Sequence, residues 1–372
     1  MAQSFSYRQN ISHRQGLLRN LARSLSVVGL LILLLLTALP AQAAEKTAQQ
    51  WLSAMSDAFS RTGYQGVFIY ARGDQVSSMQ IAHRFRNGEI EERLVFQDGP
   101  VSEIVRKGQK VTCVLPHQGR VNLNQLIGSG PFTESFIGNV LPASEWYQPE
   151  IEGSDRVAGH KTVIIALNAK DEDRYSYRLW LDEETGLLIK SYVNNHKGEV
   201  LEGFQFTSLT ITDDLPDEAF KVQSQGNVVV QAMIREPSVE SYSRQIRQPS
   251  EVGRSRVPAS FGVSNWHMGW TPEGFVPTVR VASTRSNILA FSDGLGTFTV
   301  FLEPSGDVHM PRGASRVGAT TIYMRPIELS DGHPPGATDL RVTVIGEVPP
   351  LTAMRVAESV SVDWIGQKAE TQ

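Results

Sequence analysis

The sequence lacks the residue patterns on which metal and thiol chemistry depend. It has one cysteine among 372 residues, Cys113, which excludes an internal disulfide and a cysteine zinc cluster. Cys113 lies between Val111 and Leu115 on one face of a predicted strand, so we expect a buried thiol rather than a reactive one. The histidines show neither His-x-x-x-His nor His-Glu-x-x-His spacing, and no Gly-x-Ser-x-Gly elbow is present. We therefore expect no metal, no cofactor and no enzymatic activity.

A nucleotide site is not supported either. The segment FSDGLGTFTVFLEP, residues 291–304, contains a Gly-x-Gly, but a phosphate-binding loop needs a strand before the glycines and a helix after them. Here β-branched and aromatic residues alternate with a period of two over residues 297–302, which predicts a strand. Asp293, Gly294 and Gly296 are therefore interpreted as the turn that precedes this strand.

The chain also has no excess of positive charge. Its formal net charge is −4, and removal of residues 1–43 deletes four arginines and no acidic residue, which changes the charge to −8. A chain this acidic is a poor candidate for binding nucleic acid. The ~330 residues that remain are enough for about two domains.

The first 43 residues are typical of a secretory signal peptide. Four arginines precede an apolar run: Arg8, Arg14, Arg19 and Arg23. The run covers residues 27–39, and Ala41-Gln42-Ala43 supplies a small-x-small cleavage signal. A membrane anchor is the alternative, but the run stops at Pro40, short of the ~20 residues that a transmembrane helix needs. We therefore expect export and cleavage near Ala43, and the residue directly after that site is Ala44 rather than a cysteine that could carry a lipid anchor.

A helix and a series of strands follow the signal peptide. Apolar residues at positions 51, 52, 55, 58 and 59 have the spacing of an amphipathic helix, which Gly63 ends. Period-two alternation begins at Tyr64, and Asn87-Gly88 between two alternating runs is a strong hairpin signal. The strands predicted here are residues 64–70, 78–85, 90–96, 101–106 and 111–115.

Residues 117–148 are less regular, and strand signals then resume. Four further strands are predicted: residues 161–167, 175–181, 187–193 and 200–210. Because nearly every connection is short, the sheet should be antiparallel, and a sheet of about ten strands must curl or close. One helix covers only part of one face of such a sheet, so a concave apolar surface is left.

A change of composition separates this part from the C-terminal part. Residues 223–258 are rich in Gln, Ser and Arg with scattered Pro, and we interpret them as a linker whose residues 228–234 can add an edge strand to either domain. Strands are predicted after it near residues 276–282, 298–302, 320–325 and 340–347, and a helix near 351–360. The predicted organisation is a signal peptide (1–43), a first domain (44–222), a linker (223–258) and a small α+β domain (259–372).

Two sets of polar residues have a catalytic alternative. His83 is either a base in a pocket or a hydrogen-bonded histidine of the core or rim, and the second interpretation is favoured. Glu89, Glu91 and Glu92 either provide paired carboxylates or form a solvated face beside a hairpin turn, and the solvated face is favoured.

An ordered series of segments resembles the MucB/RseB family. In the first domain these are GYQGVFIYARG, SSMQIAHRFRNGEIEERLVFQDGPVSEIVRKGQKVTCVLP and WLDEETGLLIKS. In the second they are WHMGWTPEGF, SDGLGTFTVFLEP, GATTIYMRPI and VTVIGEVPPLTAMRVAESV. The resemblance covers essentially the whole chain after the signal peptide, and the ordered series is more specific than any one motif.

This resemblance implies a fold and a function. The fold is mainly β (α+β): a large antiparallel half-barrel with a helix, similar to lipoprotein carriers, plus a smaller α+β C-terminal domain. Proteins of this family are periplasmic regulators of an extracytoplasmic-function sigma factor. They bind the periplasmic part of a membrane-spanning anti-sigma factor, shield it from the site-1 protease, and are implicated in sensing mislocalised lipopolysaccharide or lipid.

Candidate lipid-binding residues follow from the strand faces of the first domain. If the shared face of three neighbouring strands is the concave one, it should accept acyl chains. The alternative is that this face packs under the helix. The candidates are Phe68, Tyr70, Met79, Ile81, Leu94 and Phe96.

The C-terminal domain distinguishes a regulator from a simple carrier. A lipid or lipoprotein carrier needs only the half-barrel, and a periplasmic enzyme with a dispersed active site is the weakest alternative. We expect Trp266, Trp270 and Phe275 to bind the anti-sigma factor, although each can also be a core aromatic. Two mechanisms of lipid-driven release stay open, a rearrangement of the two domains and direct competition, and so does a homo-oligomer.

Overall fold

A computed structural model describes residues 46–99, 102–108, 110–115, 145–223, 227–232, 255–256, 263–282, 287–305, 312–327 and 339–364. The predicted signal peptide lies outside these residues. None of the helices in the part of the chain that is described has an apolar stretch long enough to cross a bilayer.

The first helix, α1, covers Ala48–Arg61 and begins with a capping box. The Thr47 side chain accepts the backbone N–H of Gln50 at 3.2 Å, and the Gln50 side chain accepts the N–H of Thr47 at 2.8 Å. These bonds satisfy donors that the first turn of a helix leaves free. The apolar face of α1, with Leu52 and Met55, is buried against the sheet that follows.

Eleven of the described strands form one antiparallel sheet, here called the large sheet. Its spatial order is β11-β5-β4-β3-β2-β1-β10-β9-β8-β7-β6, so two meanders join where β1 pairs with β10. The strands are β1 Tyr64–Arg72, β2 Gln75–Arg86, β3 Glu89–Phe96, β4 Glu103–Lys107, β5 Lys110–Leu115, β6 Tyr147–Val157, β7 His160–Ala169, β8 Ser176–Asp182, β9 Leu188–Asn194, β10 Val200–Ile211 and β11 Asn227–Ala232.

The remaining described strands form two smaller sheets. These two sheets and helix α2, Pro350–Glu358, are together called the C-terminal module. One sheet has the order β12-β13-β20 and the other β14-β15-β16-β19-β18-β17. Helix α2 packs on the second sheet, and its residues Ala353, Val356 and Ala357 join that core. The strands are β12 Ser255–Arg256, β13 Val263–Met268, β14 Val276–Ala282, β15 Asn287–Ser292, β16 Thr297–Pro304, β17 Gly313–Val317, β18 Thr320–Ile327, β19 Leu340–Gly346 and β20 Val360–Trp364.

The fold class predicted from the sequence is confirmed: a large antiparallel sheet with few helices and a smaller C-terminal sheet unit. The Asn87-Gly88 hairpin is present, with both residues at positive φ (55° and 82°) between β2 and β3, as the favoured two-residue turn requires. The edge strand expected within residues 228–234 is also present, since β11 pairs with β5. The domain boundaries themselves stay a prediction.

One long strand was missed, because β6 starts inside the segment interpreted as irregular and continues to Val157. Nearly all of its side chains are exposed, so it has no alternation of apolar and polar residues from which it could be recognised. It is the edge strand of the large sheet and pairs only with β7 among the described strands.

Cys113 lies in β5 opposite Ile104 and is 1% exposed, as the sequence predicts. Burial raises the pKa of its thiol, so the reactive thiolate is scarce at neutral pH. We expect a thiol reagent to label the native protein at least about 100-fold more slowly than the urea-unfolded protein, followed by mass spectrometry. Equal rates in the two states would contradict a buried thiol.

Candidate functional site

The six candidate lipid-binding residues lie on one face of three paired strands. Phe68 in β1 is opposite Met79 in β2, which in turn is opposite Phe96 in β3. Ile81 and Leu94 form the adjacent row. This is the face that the sequence assigned to acyl chains.

Helix α1 packs against the same face. Phe68, Met79 and Ile81 are buried in one apolar cluster with helix residues Leu52 and Met55. Tyr70, Leu94 and Phe96 are only half-buried at the border of that cluster. The buried residues thus fit the interpretation that this face packs under the helix, and the half-buried ones fit an acyl-binding surface. An acyl chain that reaches the buried residues has to displace α1. Lipid binding by these residues stays a prediction.

A buried ion pair joins the large sheet to the C-terminal module. Arg174, in the loop between β7 and β8, is fully buried, and its Nη1 lies 2.6 Å from Oδ2 of Asp293. The guanidinium also contacts Asp171 at 3.0 Å and donates to the backbone carbonyl of Glu273. Three aromatic rings surround it, with ring centroids 5.1 to 5.7 Å from the guanidinium carbon: Trp146, Tyr147 and Phe275.

Asp293 belongs to the glycine-containing turn that the sequence predicted before the strand at residues 297–302. The turn is confirmed, and it follows β15, a strand that the sequence analysis did not predict. Its Oδ1 accepts the backbone N–H groups of Leu295 (2.9 Å) and Gly296 (2.8 Å), which shapes the turn. Its Oδ2 accepts the hydroxyl of Tyr147 at 3.0 Å in addition to the Arg174 guanidinium. Leu295, at the tip, is buried in the apolar cluster of the large sheet. The turn is thus the point at which the C-terminal module enters the large sheet.

A second ionic contact lies at the far end of β1. Arg72 donates to Oγ1 of Thr320 (2.6 Å) and lies 3.1 Å from Glu202 of β10. Glu202 accepts the backbone N–H of Ala319 at 3.3 Å. The backbone of Gly318 has φ +60°, and a Cβ there would lie 2.5 Å from Cγ of Arg72. A glycine is therefore needed for this close approach. The two ionic contacts together are called the junction below.

Tyr70 links the candidate lipid face to the junction. Its hydroxyl donates to Oε1 of Glu202 at 2.5 Å, while the other oxygen of Glu202 holds Ala319 of the C-terminal module. Burial, followed by the nearby Glu202 carboxylate, raises the pKa of Tyr70. Two consecutive hydrogen bonds therefore connect a residue of the apolar face to the C-terminal module.

The three candidate partner-binding aromatics lie in different surroundings. Trp266 is fully buried in the core of the C-terminal module. Phe275 is buried at the junction against Arg174. Trp270 is half-buried beneath the guanidinium of Arg355, whose carbon lies 3.7 Å from the ring centroid. Partner binding by these residues stays a prediction, and Trp270 is the one whose ring is the most accessible.

Three carboxyl groups share the junction with two arginines. Burial raises the pKa of Asp293, although Arg174 and two backbone N–H groups act in the opposite direction. Burial also raises the pKa of Glu202. Glu347 follows β19, and burial together with the charges of Glu202 and Asp293 raises its pKa to about 7, against the opposing effect of Arg72. Glu347 is therefore a group that changes charge near neutral pH.

Among the expectations about polar residues of the large sheet, the one for His83 is met in part and the one for Glu91 is wrong. His83 is buried, as expected, but neither ring nitrogen is hydrogen-bonded to a described residue. Glu91 does not lie on a solvated face, because it is buried and accepts Nε of Arg84 at 2.6 Å. Asp217 covers this pair from a short 3-10 helix, Asp217–Phe220. Asp217 lies 133 residues after Arg84, and the pattern of a hairpin gives no information about so distant a partner.

Sequence reasoning missed the residues that form the junction: Arg72, Arg174, Glu202, Asp293 and Glu347. Arg174 is in a run of charged residues, Asp-Glu-Asp-Arg at 171–174, which resembles an ordinary solvated turn. The one available signal was the Asp293 turn itself, because an Asp that shapes a turn has a second oxygen free for a partner. Within the described residues, no group of three or more His, Cys, Asp or Glu could hold a metal ion.

The Arg174–Asp293 pair generates a stability prediction. Arg174→Met leaves the Asp293 carboxylate buried without its cation, so we expect a loss of about 3–5 kcal/mol in urea denaturation. Adding Asp293→Asn removes the buried charge and keeps an oxygen for the N–H groups of Leu295 and Gly296. The double variant should therefore recover part of the loss.

An exposed ion pair of the same sheet provides the matched control. Arg178 and Glu152 are 2.6 Å apart, but their side chains are 44% and 33% exposed. Arg178→Met should cost less than about 1 kcal/mol. Equal losses at Arg174 and Arg178, or no recovery in the double variant, would contradict the role given to the buried pair.

Glu347 generates a pH prediction. Its folded pKa of about 7 exceeds the ordinary value of 4.5, so between these pH values the folded protein keeps a proton that the unfolded chain has released. Stability should therefore fall as pH rises through this window and stay lower above it. Glu347→Gln should remove this component and raise stability by about 1–3 kcal/mol at pH ~8, with little change at pH ~4.5. If the free energies of unfolding of wild type and variant differ by the same amount at every pH, the prediction is wrong.

The sequence and the fold can now be compared with those of known proteins. Residues 47–224 match the MucB/RseB N-terminal domain, and residues 261–361 match the MucB/RseB C-terminal domain. The chain is 33% identical over 349 residues to the Sigma factor AlgU regulatory protein MucB of Pseudomonas aeruginosa, covering 91% of this chain and 98% of that protein. It is 27% identical over 328 residues to the Sigma-E factor regulatory protein RseB of Haemophilus influenzae, covering 86% and 93%.

Solved structures agree with the sequence comparisons. The complex structure of Pseudomonas aeruginosa MucA/MucB matches with a TM-score of 0.65 at 27% identity, covering 85% of this chain and 99% of that one. A crystal structure of MucB in complex with MucA(peri) matches with a TM-score of 0.62 at the same identity and coverage of 85% and 99%. Since both domain models match in order and the relatives are covered almost end to end, the chain belongs to the MucB/RseB family.

Proposed function

We propose that the protein is a periplasmic regulator of an extracytoplasmic-function sigma factor. It binds the periplasmic segment of a membrane-spanning anti-sigma factor, shields that segment from the site-1 protease, and releases it when lipid or lipopolysaccharide acyl chains enter the large sheet. Family membership supports this function, as do the names of relatives as sigma factor regulatory proteins. The solved complex of MucB with MucA(peri) supports the kind of partner.

The observation that carries the lipid-sensing part is the link from Tyr70 to the C-terminal module. The Tyr70 hydroxyl bonds to Glu202, and Glu202 bonds to the backbone of Ala319. An acyl chain that occupies the row of Phe68 and Met79 has to move Tyr70 or its neighbours. Such a movement weakens the hold of Glu202 on the turn between β17 and β18. Lipid and partner thereby both act on the contact between Glu202 and the C-terminal module.

The junction is the element that we propose to have two arrangements. A ligand drives release only if it binds the two arrangements with different affinity. The buried Arg174–Asp293 pair favours discrete states, because a partial separation would leave two charges desolvated without their attraction. Coupling of about 1–3 kcal/mol, or roughly 5–150-fold in affinity, is typical of such a system. The proposed partner-binding residues are Trp270 and Phe275, with Trp266 supporting them from the core.

A lipid titration distinguishes rearrangement from direct competition. We expect a labelled periplasmic segment of the anti-sigma factor to bind the mature chain, residues 44–372, and to weaken as an acyl ligand is added. In the proposed mechanism the apparent Kd rises and then levels off at a finite factor of roughly 5–150. In direct competition it rises in proportion to ligand concentration without a plateau. Fluorescence anisotropy over a wide range of ligand concentration measures the difference.

Tyr70→Phe is the informative variant for this experiment. It removes the hydroxyl that bonds to Glu202 and keeps the apolar ring, so acyl binding should stay within about 2-fold while the plateau falls by about half or more. Thr207→Val is a matched control, because the Thr207 hydroxyl bonds to the backbone of Val67 on an exposed part of the same strand pair. Failure of the segment to bind at all, with acyl binding intact, would instead identify a lipid carrier.

A further inference from the structure

Three polar atoms at one end of the apolar face have no hydrogen-bond partner among the described residues. They are the Tyr64 hydroxyl oxygen and both ring nitrogens of His83. Tyr64 is 0% exposed and His83 is 1% exposed. An unpaired buried polar group destabilises the folded state, and proteins retain few of them. Two adjacent residues with three such atoms therefore point to a partner outside the described part of the chain.

Aromatic packing fixes both rings. Tyr64 in β1 and His83 in β2 are directly opposite each other, and their rings stack with centroids 4.9 Å apart and planes 14° apart. Phe59 of α1 meets the edge of the His83 ring at 6.2 Å, and Phe206 of β10 meets Tyr64 at 6.0 Å. The polar atoms thus keep defined positions without a hydrogen bond to any described residue.

This pair belongs to the face that we propose for acyl chains. The next row along the strands is Gly66 and Ile81, and the row after that is Phe68 and Met79. Two such steps, of two residues each, span about 13 Å. A chain that displaces α1 and lies along the strands over Met79 and Ile81 therefore brings its polar end to Tyr64 and His83.

The charge next to the pair decides which polar group fits. Glu92 is opposite His83 in β3, and its Oε1 lies 3.9 Å from Nδ1 of His83. A ligand carboxylate at this position would add a second negative charge in a poorly solvated site, which is unfavourable. A neutral carbonyl accepts a hydrogen bond from the Tyr64 hydroxyl or from a His83 N–H without that repulsion.

We propose that Tyr64 and His83 bind the ester carbonyl of an acyl ligand, and that Glu92 makes the site select esters over free fatty acids. This inference rests on the proposed lipid site of the large sheet and names the part of the ligand that the site recognises. It also accounts for two buried side chains whose polar atoms form no hydrogen bond with a described residue.

Methyl laurate and lauric acid, which have the same chain, test the proposal through displacement of a fluorescent acyl probe from the mature protein at neutral pH. Wild type should bind the ester at least about 10-fold more tightly than the acid. Tyr64→Phe should weaken ester binding by about 3- to 10-fold, with probe binding unchanged, because it removes one hydrogen bond and no apolar surface. Glu92→Gln should strengthen the binding of lauric acid and so reduce the preference for the ester over the acid.

The stability of the unliganded protein gives an independent readout. Tyr64→Phe deletes an unpaired hydroxyl, so its Tm should be equal to or higher than that of wild type. Tyr175→Phe is the matched control, because the Tyr175 hydroxyl donates to the backbone carbonyl of Val348 at 3.2 Å and lies outside the proposed lipid site. It should lower the Tm and leave the ratio of ester to acid affinity unchanged.

The outcomes separate this inference from the proposed function. If wild type binds no acyl probe, the lipid site fails and the inference fails with it. If wild type binds the ester and Tyr64→Phe and His83→Phe bind it equally well, the lipid site survives and the inference is wrong. A Tyr64→Phe variant that loses stability and affinity for ester and acid alike shows a structural hydroxyl, which also overturns it.

Discussion

The ion pair between Arg174 and Asp293 is the contact on which the arrangement of the whole molecule depends. Two charged groups have left water at this point, and their mutual attraction repays the desolvation only when the geometry is good. Asp171, Tyr147 and the backbone of the Asp293 turn supply the additional hydrogen bonds that such a pair requires. Apolar surfaces can slide past each other at small cost, whereas this pair cannot. We infer that it defines the position of the C-terminal module more than it adds stability.

Exclusion of water at the same boundary also explains the raised pKa values of the carboxyl groups nearby. Glu202 and Glu347 lie where the C-terminal module excludes water from the end of the large sheet, and burial raises the pKa of both. Arg72 offsets only part of this effect at Glu347. The junction therefore combines a strong ionic contact with an excess of carboxyl groups. Such a boundary suits the regulator proposed above, because separating its two sides would return these buried carboxyl groups to water.

The apolar face and the junction are parts of one continuous region. Leu295 from the Asp293 turn is buried in the same cluster as Phe68 and Ile81, and Tyr70 lies at the border of that cluster with its hydroxyl on Glu202. At the opposite end of the face, beneath α1, the polar atoms of Tyr64 and His83 form no hydrogen bond with any described residue. A ligand with an apolar chain and a neutral polar end fits this distribution of surface. Its chain and the partner of the C-terminal module would be sensed by the same set of contacts.

The sequence by itself determined the class of the protein and most of its elements. Alternation with a period of two predicts β1 and β2, and Asn87-Gly88 predicts the turn between β2 and β3. The helical spacing at residues 51–59 predicts α1. These signals are local, because side-chain direction along a helix or strand depends only on the backbone period. Only the tertiary structure decided which charged residues are buried and which strands are edges. Arg174 and Asp293 are 119 residues apart, and nothing in a local pattern distinguishes an arginine that meets such a partner from one in solvent. The exposure of strand β6 and the burial of His83 were unpredictable for the same reason, since burial depends on what packs against a residue and not on its neighbours in the chain.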